Sequence, residues 1–403
     1  MPTTRNNKSG IRENRRVANG SSNTSTVAGA HRMPAEWAPH ESTWLAWPHF
    51  RGDWPGKFDP IPWVYAEIIR NLTRHERVDL IVTNAEAEKR IRKTLKLANA
   101  LSKNIRFRHW PTNRVWTRDS GCTFLTRAVA DPAFVSADRS LNASVSGQTG
   151  VPARSRQSSY ALGAVKWRFN AWAKYPNYRH DEKIGSLMAQ AAQAPEIRAY
   201  HQDTRVVLEG GSIDVNGEGV LLTTEECLLS KVQRRNPGFS REDYERVFAN
   251  YLGVKKVIWL GQGISGDDTH GHVDDITRFV APNTIVTMVE PNARDKNHAP
   301  LQENLRRLKS ATDHDGKSFQ IVELPMPAPV IFEGRRLPAS YGNFYIANGA
   351  VLVPVFNDPN DRTALNILAD LFRDREIVPI YSGDLIWGFG ALHCMTQQQP
   401  RVR

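Results

Sequence analysis

Apolar and polar positions change spacing several times between residues 42 and 107, and each change marks an element. Ser42-Thr-Trp-Leu-Ala-Trp47 is an apolar-rich run stopped by Pro48, which predicts a strand. Trp63 to Leu72 places its apolar residues at helical intervals and leads into a second extended run, Val78-Asp-Leu-Ile-Val82. Residues 86–102 read as a Lys/Ala/Leu helix, followed by another extended segment around Ile105-Arg-Phe107. The local rhythm is strand, helix, strand.

Further along, the pattern becomes a repeat. Gly211 to Leu222 reads as a hairpin turning at Asn216-Gly217, Asp275 to Met288 as one turning at Pro282-Asn283, and Asn343 to Val353 as one turning at Asn348-Gly349. Each is followed by a helical segment: Arg241–Leu252 with Ser240 as N-cap, Leu301–Ala311, and Thr363–Phe372. Each helix then leads to a strand, at Lys256–Trp259, Gln320–Leu324 and Ile377–Ile380. Three copies of strand, strand, helix, strand in matched order predict an α/β fold built as a ring of such units, with turns from several units meeting at one end. An ordinary two-domain α+β protein is the competing reading.

Composition narrows the class. The 403 residues are 40% hydrophobic and 24% charged, enough for a large core and typical of a globular chain. No apolar run approaches the ~20 residues that span a bilayer, and the N-terminus lacks an apolar signal core, so no membrane association is expected. An odd count of 3 cysteines argues against a disulfide framework and points to a reducing compartment, the cytoplasm. The net charge of +11 raises the question of nucleic acid. Residues 1–32 hold six basic residues against Glu13 alone, so this Ser/Thr/Asn/Gly-rich tail accounts for nearly half of the excess. Such a composition cannot build a core, and we read 1–32 as a disordered basic tail ahead of a single domain over 33–403. Residues 127–162, rich in Ala, Ser and Arg, read as a flexible surface insertion. No nucleic-acid-binding motif is visible, so nucleic acid is not an expected partner.

Four turns carry ionisable groups beside glycine at strand edges: Trp116-Thr-Arg-Asp119-Ser-Gly121, Glu209-Gly-Gly-Ser212, Gly266-Asp-Asp-Thr-His-Gly-His272-Val-Asp274, and Gly390-Ala-Leu-His-Cys394. In a ring of repeats these edges converge, giving one pocket a thiol, an imidazole and at least three carboxylates: Cys394, His272, Asp119, Glu209 and Asp274. That acid load is costly to desolvate unless a cation balances it, and a guanidinium pairs bidentately with carboxylates. Two acids would hold its flat carbon for attack by sulfur. Each residue also has a plainer reading: Cys394 as a small buried hydrophobe, His272 as structural, Asp119 as a turn cap, Glu209 as a surface acid and Asp274 as a hairpin cap. Cys122 and Cys227 lie in β-like runs and read as packing residues. His270-Gly-His272-Val-Asp274 also has metal-ligand spacing that resembles metallo-β-lactamase-type hydrolases, although Asp275 stands where those continue with histidine.

Taken together, these residues resemble the agmatine deiminase family, relatives of the bacterial peptidylarginine deiminases. The resemblance runs through Met33-Pro-Ala-Glu-Trp-Ala-Pro-His-Glu-Ser-Thr-Trp-Leu-Ala-Trp-Pro48, Arg118-Asp-Ser-Gly-Cys-Thr-Phe124, Glu209-Gly-Gly211, Gly271-His-Val-Asp274 and His393-Cys-Met-Thr-Gln-Gln-Gln-Pro400. It implies a five-bladed α/β propeller of ββαβ repeats with pseudo-fivefold symmetry. It also implies conversion of agmatine and water to N-carbamoylputrescine and ammonia, without metal or organic cofactor. Cys394 is then the nucleophile, forming an amidino-thioether, and His272 protonates departing ammonia before activating water. Asp119 and Asp274 grip the guanidinium, Glu209 pairs with it or supports His272, and Trp116 and Asp268 line the substrate tail. The partner is a small-molecule guanidine; peptidylarginine or another guanidine is the alternative substrate, and homo-oligomerisation stays open. The chain departs from the family pattern at Cys122, at Ala173-Lys174 after Phe169-Asn-Ala-Trp172, at Phe389 in place of glycine, and at Ala391 in place of asparagine.

Overall fold

The computed structural model describes residues 31–129 and 159–402 and is a mixed α/β fold containing five sheets of three or four strands, with two short separate hairpins. Three sheets are the three sequence repeats. Their strands are Asp214–Val215, Val220–Thr224 and Lys256–Leu260; Thr277–Ala281, Thr284–Val289 and Gln320–Pro325; and Tyr345–Ile346, Ala350–Val355 and Glu376–Tyr381. In each, the first pair is antiparallel and the third strand runs parallel to the second. A parallel return needs a crossover, which the helices Arg241–Leu252, His298–Ser310 and Pro359–Leu371 supply. Local chemistry sets their starts. Ser240 and Asp358 each close a capping box, with Asp243 and Asp361 respectively, and Gly253 ends the first helix at φ 70°.

Two further sheets extend the rhythm. One joins His31–Arg32, Thr123–Val129, Ser159–Lys166 and Glu196–Arg198, crossing over through Asp181–Ala191. The other pairs the C-terminal strand Thr396–Pro400 antiparallel with His40–Ala46, then adds Arg77–Val82 and Ile105–His109 in parallel. The C-terminal strand thus completes the sheet begun by His40–Ala46. Middle strands such as Val220–Thr224 and His40–Ala46 are largely buried, which is why their sequences read as runs rather than as alternation. No helix among the described residues is long and apolar enough to cross a membrane.

Three boundaries need correction. The helix expected over 86–102 spans Ala85–Leu97, and Asn99 at φ 53° turns the chain out of it. The tail was expected to reach residue 32, but His31 and Arg32 pair with Arg127 and Thr126 as an edge strand; residues 1–30 lie outside the described residues. The insertion expected over 127–162 has ordered ends, because Arg127–Val129 pair with Ser159–Ala161. Residues 130–158 lie outside the described residues.

One feature recurs at all five sheets and positions everything that follows. The strand that opens each unit is preceded by a short helical turn: Thr117–Ser120, Gly210–Ser212, Val273–Asp275, Tyr341–Asn343, and the turn at 392–395. Four of the five neighbouring pairs of turns are hydrogen-bonded, and the remaining pair meets where Gly211 packs on His272 and Asp274. Thr117 Oγ1 donates to the Met395 carbonyl (2.5 Å), Gly211 N–H to Asp119 (3.0 Å), Ser340 Oγ to the Asp275 carbonyl (2.6 Å), and His393 N–H to the Asn343 carbonyl (3.2 Å).

Candidate active site

Equivalent turns place equivalent side chains at one centre. Asp119 comes from the first turn, Glu209 caps the second, His272 caps the third and Asp274 lies within it, and Cys394 sits in the last. All are buried. His272 Nε2 lies 3.6 Å from Glu209 and Nδ1 4.0 Å from Asp119, while Cys394 Sγ lies 3.7 Å from Asp274 Oδ2. Gly211 is wedged among them. A methyl group there would sit 2.5 Å from His272 Nδ1, 3.0 Å from Asp274 Oδ2 and 3.1 Å from Asp119 Oδ1, so the turn needs glycine for close approach rather than for flexibility.

The carboxylates are held in different ways. Asp119 accepts Trp172 Nε1–H (2.9 Å) and Gly211 N–H (3.0 Å), leaving acceptor capacity on each oxygen. Burial raises its pKa, partly offset by the His272 charge and reinforced by Asp274. Glu209 receives Arg235 Nε at 3.2 Å on both oxygens; burial opposes its charge, but Arg235 and His272 hold its pKa below the ordinary value. Asp274 accepts His393 Nδ1 at 2.6 Å on Oδ2, and its Oδ1 is buried without a hydrogen-bond partner among the described residues. Behind it, His393 Nε2 meets Glu36 (2.7 Å), which also pairs with Arg118 (3.2 Å) and Arg278 (3.0 Å). Glu209, Asp274 and Glu36 are thus matched from behind by buried cations or by His393, which favours their charged forms away from water, whereas Asp119 has only neutral donors behind it.

Two groups have inverted proton preferences. Burial, followed by Asp274, Asp275 and Asp119, pushes the Cys394 thiol well above its ordinary value. Burial alone would lower His272, but Asp119, Cys227 and Glu209 outweigh it and raise the imidazole well above 6.5. The resting pair is therefore thiol and imidazolium at neutral pH.

Cys394 and Asp119 open onto a cavity of about 320 Å3, whose wall also includes Trp116, Trp172, Asp268 and Phe389, whereas Glu209, His272 and Asp274 are fully buried and do not line it. Trp116 and Asp268 both lie on this wall, and Asp268 is already engaged by Lys174 and by the Tyr175 hydroxyl (2.6 Å). The metal-ligand reading of 270–274 is overturned. His270, at φ 66°, turns its ring to Ser230 (3.0 Å) and Glu226 (3.7 Å), away from any shared site with His272 and Asp274. Two other triads, Glu209, Cys227 and His272 and also Asp274, Asp275 and Cys394, each bring one donor atom per residue within 4.8 Å of one another; in the first, Glu209 already carries a fixed guanidinium on both oxygens.

Sequence reasoning missed several contributors. Asn343 donates from Nδ2 to Cys394 Sγ (3.1 Å) and to Asp275 (3.0 Å), while its Oδ1 accepts His393 N–H (3.0 Å). It is the first residue of a motif read only as a hairpin. Arg235 and Glu36 gave no local signal, since their roles exist only through contacts far away in sequence. Cys227 lies on the short helix Glu225–Leu229 rather than in a strand, beside His272, while Cys122 is buried with its thiol pushed up to about 12.

Comparison with known proteins places this geometry. The family model of the Porphyromonas-type peptidyl-arginine deiminases matches residues 32–400. The agmatine deiminase of Pseudomonas syringae pv. tomato is 32% identical, over 94% of this chain and 98% of that protein. The structure of the Enterococcus faecalis agmatine deiminase superposes with a TM-score of 0.78 at 28% identity, covering 93% of this chain and 97% of that one. A cysteine-to-serine variant of the C. jejuni agmatine deiminase with substrate bound gives 0.74 at 27% identity, over 92% and 97%.

Proposed function

This chain belongs to the Porphyromonas-type peptidyl-arginine deiminase family, and on that premise we propose that it hydrolyses the guanidine group of agmatine, giving N-carbamoylputrescine and ammonia. The observation that carries this reading is that His272, Asp119 and Asp274 meet around Gly211, with Cys394 Sγ 3.7 Å from Asp274 and with Cys394 and Asp119 on the wall of one cavity. Its relatives named above as agmatine deiminases support the substrate, and the C. jejuni variant supports a central cysteine.

In this reading the guanidinium is the cation that the buried acids await. Asp119 uses its remaining lone pairs, and Asp274 its unpartnered Oδ1, to hold the planar group edge-on. Bound positive charge relieves the acids and lowers the Cys394 pKa, so that the thiol proton is released to solvent and the thiolate forms beside the imidazolium. Sulfur adds to the central carbon, the bond to a terminal nitrogen breaks, and that nitrogen leaves as ammonia with a proton from His272. The resulting amidino-thioether is attacked by water that gives a proton back to His272. The C–S bond then breaks, restoring the thiolate and releasing the ureido product. Glu209, fixed by Arg235 and 3.6 Å from His272, acts on the imidazole rather than on the guanidinium. Trp116 walls the tail.

The same reading makes the five sheets the blades of a five-bladed propeller within a single domain that begins near residue 31. The contacts between neighbouring turns and the pairing of Thr396–Pro400 with His40–Ala46 support it. Three unpaired cysteines suit a reducing compartment such as the cytoplasm. The function is tested by assaying ammonia and ureido product with agmatine, with and without EDTA. Equimolar products insensitive to chelation are expected; no ureido product would overturn the reading.

A further inference from the structure

The rim of the cavity is built differently from its base. A hairpin, Ile331–Phe332 paired with Arg335–Arg336, brings Arg335 to the cavity wall. Arg336 binds both oxygens of Asp295 (2.8 and 2.9 Å), and the Phe332 ring meets Trp387 edge-on at 4.6 Å, so the hairpin is clamped from two sides. Alternation along the strand sends Arg335 to the opposite side from Arg336. Its guanidinium lies 4.7 Å from the Phe389 ring centre and 5.9 Å from Trp387. Phe389 itself occupies the left-handed region at φ 66° between Gly388 and Gly390, an uncommon conformation for a bulky residue, and this fixes the ring on the cavity wall.

The charges at the rim are unequal. Its two acids, Asp53 and Asp268, are both occupied, the first by Arg114 and the second by Lys174 and Tyr175. Arg335 is exposed, lines the cavity and forms no ion pair among the described residues. A distal ammonium would have to displace a resident cation and approach a third one. A distal carboxylate would find a donor fork already placed on an aromatic platform.

We propose that Arg335 is a specificity-determining residue that receives a carboxylate at the far end of the substrate, so that this chain deiminates ω-guanidino carboxylic acids as well as agmatine. The inference rests on the guanidine-deiminase reading and extends its substrate class. The test compares agmatine with 5-guanidinopentanoate, which keeps the tetramethylene chain and ends in a carboxylate. Wild type should turn over both. Arg335→Gln should lower kcat/KM for the acid about fivefold, through KM with kcat unchanged, and raise it for agmatine. Arg335→Glu should widen both changes. Turnover of agmatine alone by wild type, or an unchanged ratio between the two compounds in both variants, overturns the inference while leaving the deiminase reading intact. Turnover of neither overturns both.

Discussion

The base and the rim of one cavity obey opposite rules. At the base, Asp274, Glu209 and Glu36 are buried, and each is backed by a fixed partner: His393, Arg235, or Arg118 with Arg278. At the rim, Arg335 lies exposed on two aromatic rings, and the contacts around it come from a two-stranded hairpin and one strained loop. Desolvated charge is intolerant of change because any deletion strands its partner, whereas solvated charge can vary at small cost. On the proposed reading, the base carries the reaction chemistry and the rim the choice of substrate tail.

The largest effect that can break this division is at sulfur. Cys394→Ser should lower ureido-product formation by roughly 10^4-fold or more while agmatine still binds, as seen by calorimetry. Activity retained within tenfold would remove the covalent route. His272→Ala should cost about 10^2–10^4-fold in kcat with little change in KM; an effect confined to KM would make the imidazole a binding group. Gly211→Ala should be as damaging as either, because its methyl would meet three site side chains at once; a fully active variant would show that the turn is looser than these distances imply.

Glu36→Gln probes the support behind the base and should cost about 3–5 kcal/mol in chemical denaturation, since it leaves buried Arg278 and Arg118 short of a counter-charge. The pH dependence has a defined sign. Burial opposes ionisation of Glu36, but Arg278, His393 and Arg118 hold its pKa well below 4.5. A depressed carboxylate contributes stability that is fully present above its unfolded value and is lost as pH falls through the folded one. Stability of the wild type should therefore drop below about pH 4.5, and Glu36→Gln should flatten that drop. Parallel pH curves for the two proteins would assign acid sensitivity elsewhere.

Much of this was legible in the chain because the repeat is local. The hairpins at Asn216-Gly217 and Asn348-Gly349 and the helix Arg241–Leu252 depend on turn chemistry, capping and period, all written within about forty residues. The candidate site residues stood out as ionisable groups beside glycine because each lies at or in the same kind of short turn before a strand. What stayed hidden was the backing layer. Arg235 and Glu36 act only through partners many residues away, and Asn343 looked like the start of a strand. Helix ends blurred for a simpler reason: Asn99 entered the left-handed region without a Gly or Pro to announce it.

The account turns on a thiol that ionises when a guanidinium fills the acid-lined base. The most direct measurement is the pH titration of Cys394 thiolate absorbance, with Cys394→Ser as blank, in the presence and absence of a non-reactive guanidinium ligand. The free protein should titrate well above the ordinary thiol value of 9.0, because burial and then Asp274, Asp275 and Asp119 oppose the anion, and ligand should bring the midpoint down. The same midpoint with and without ligand would contradict the account.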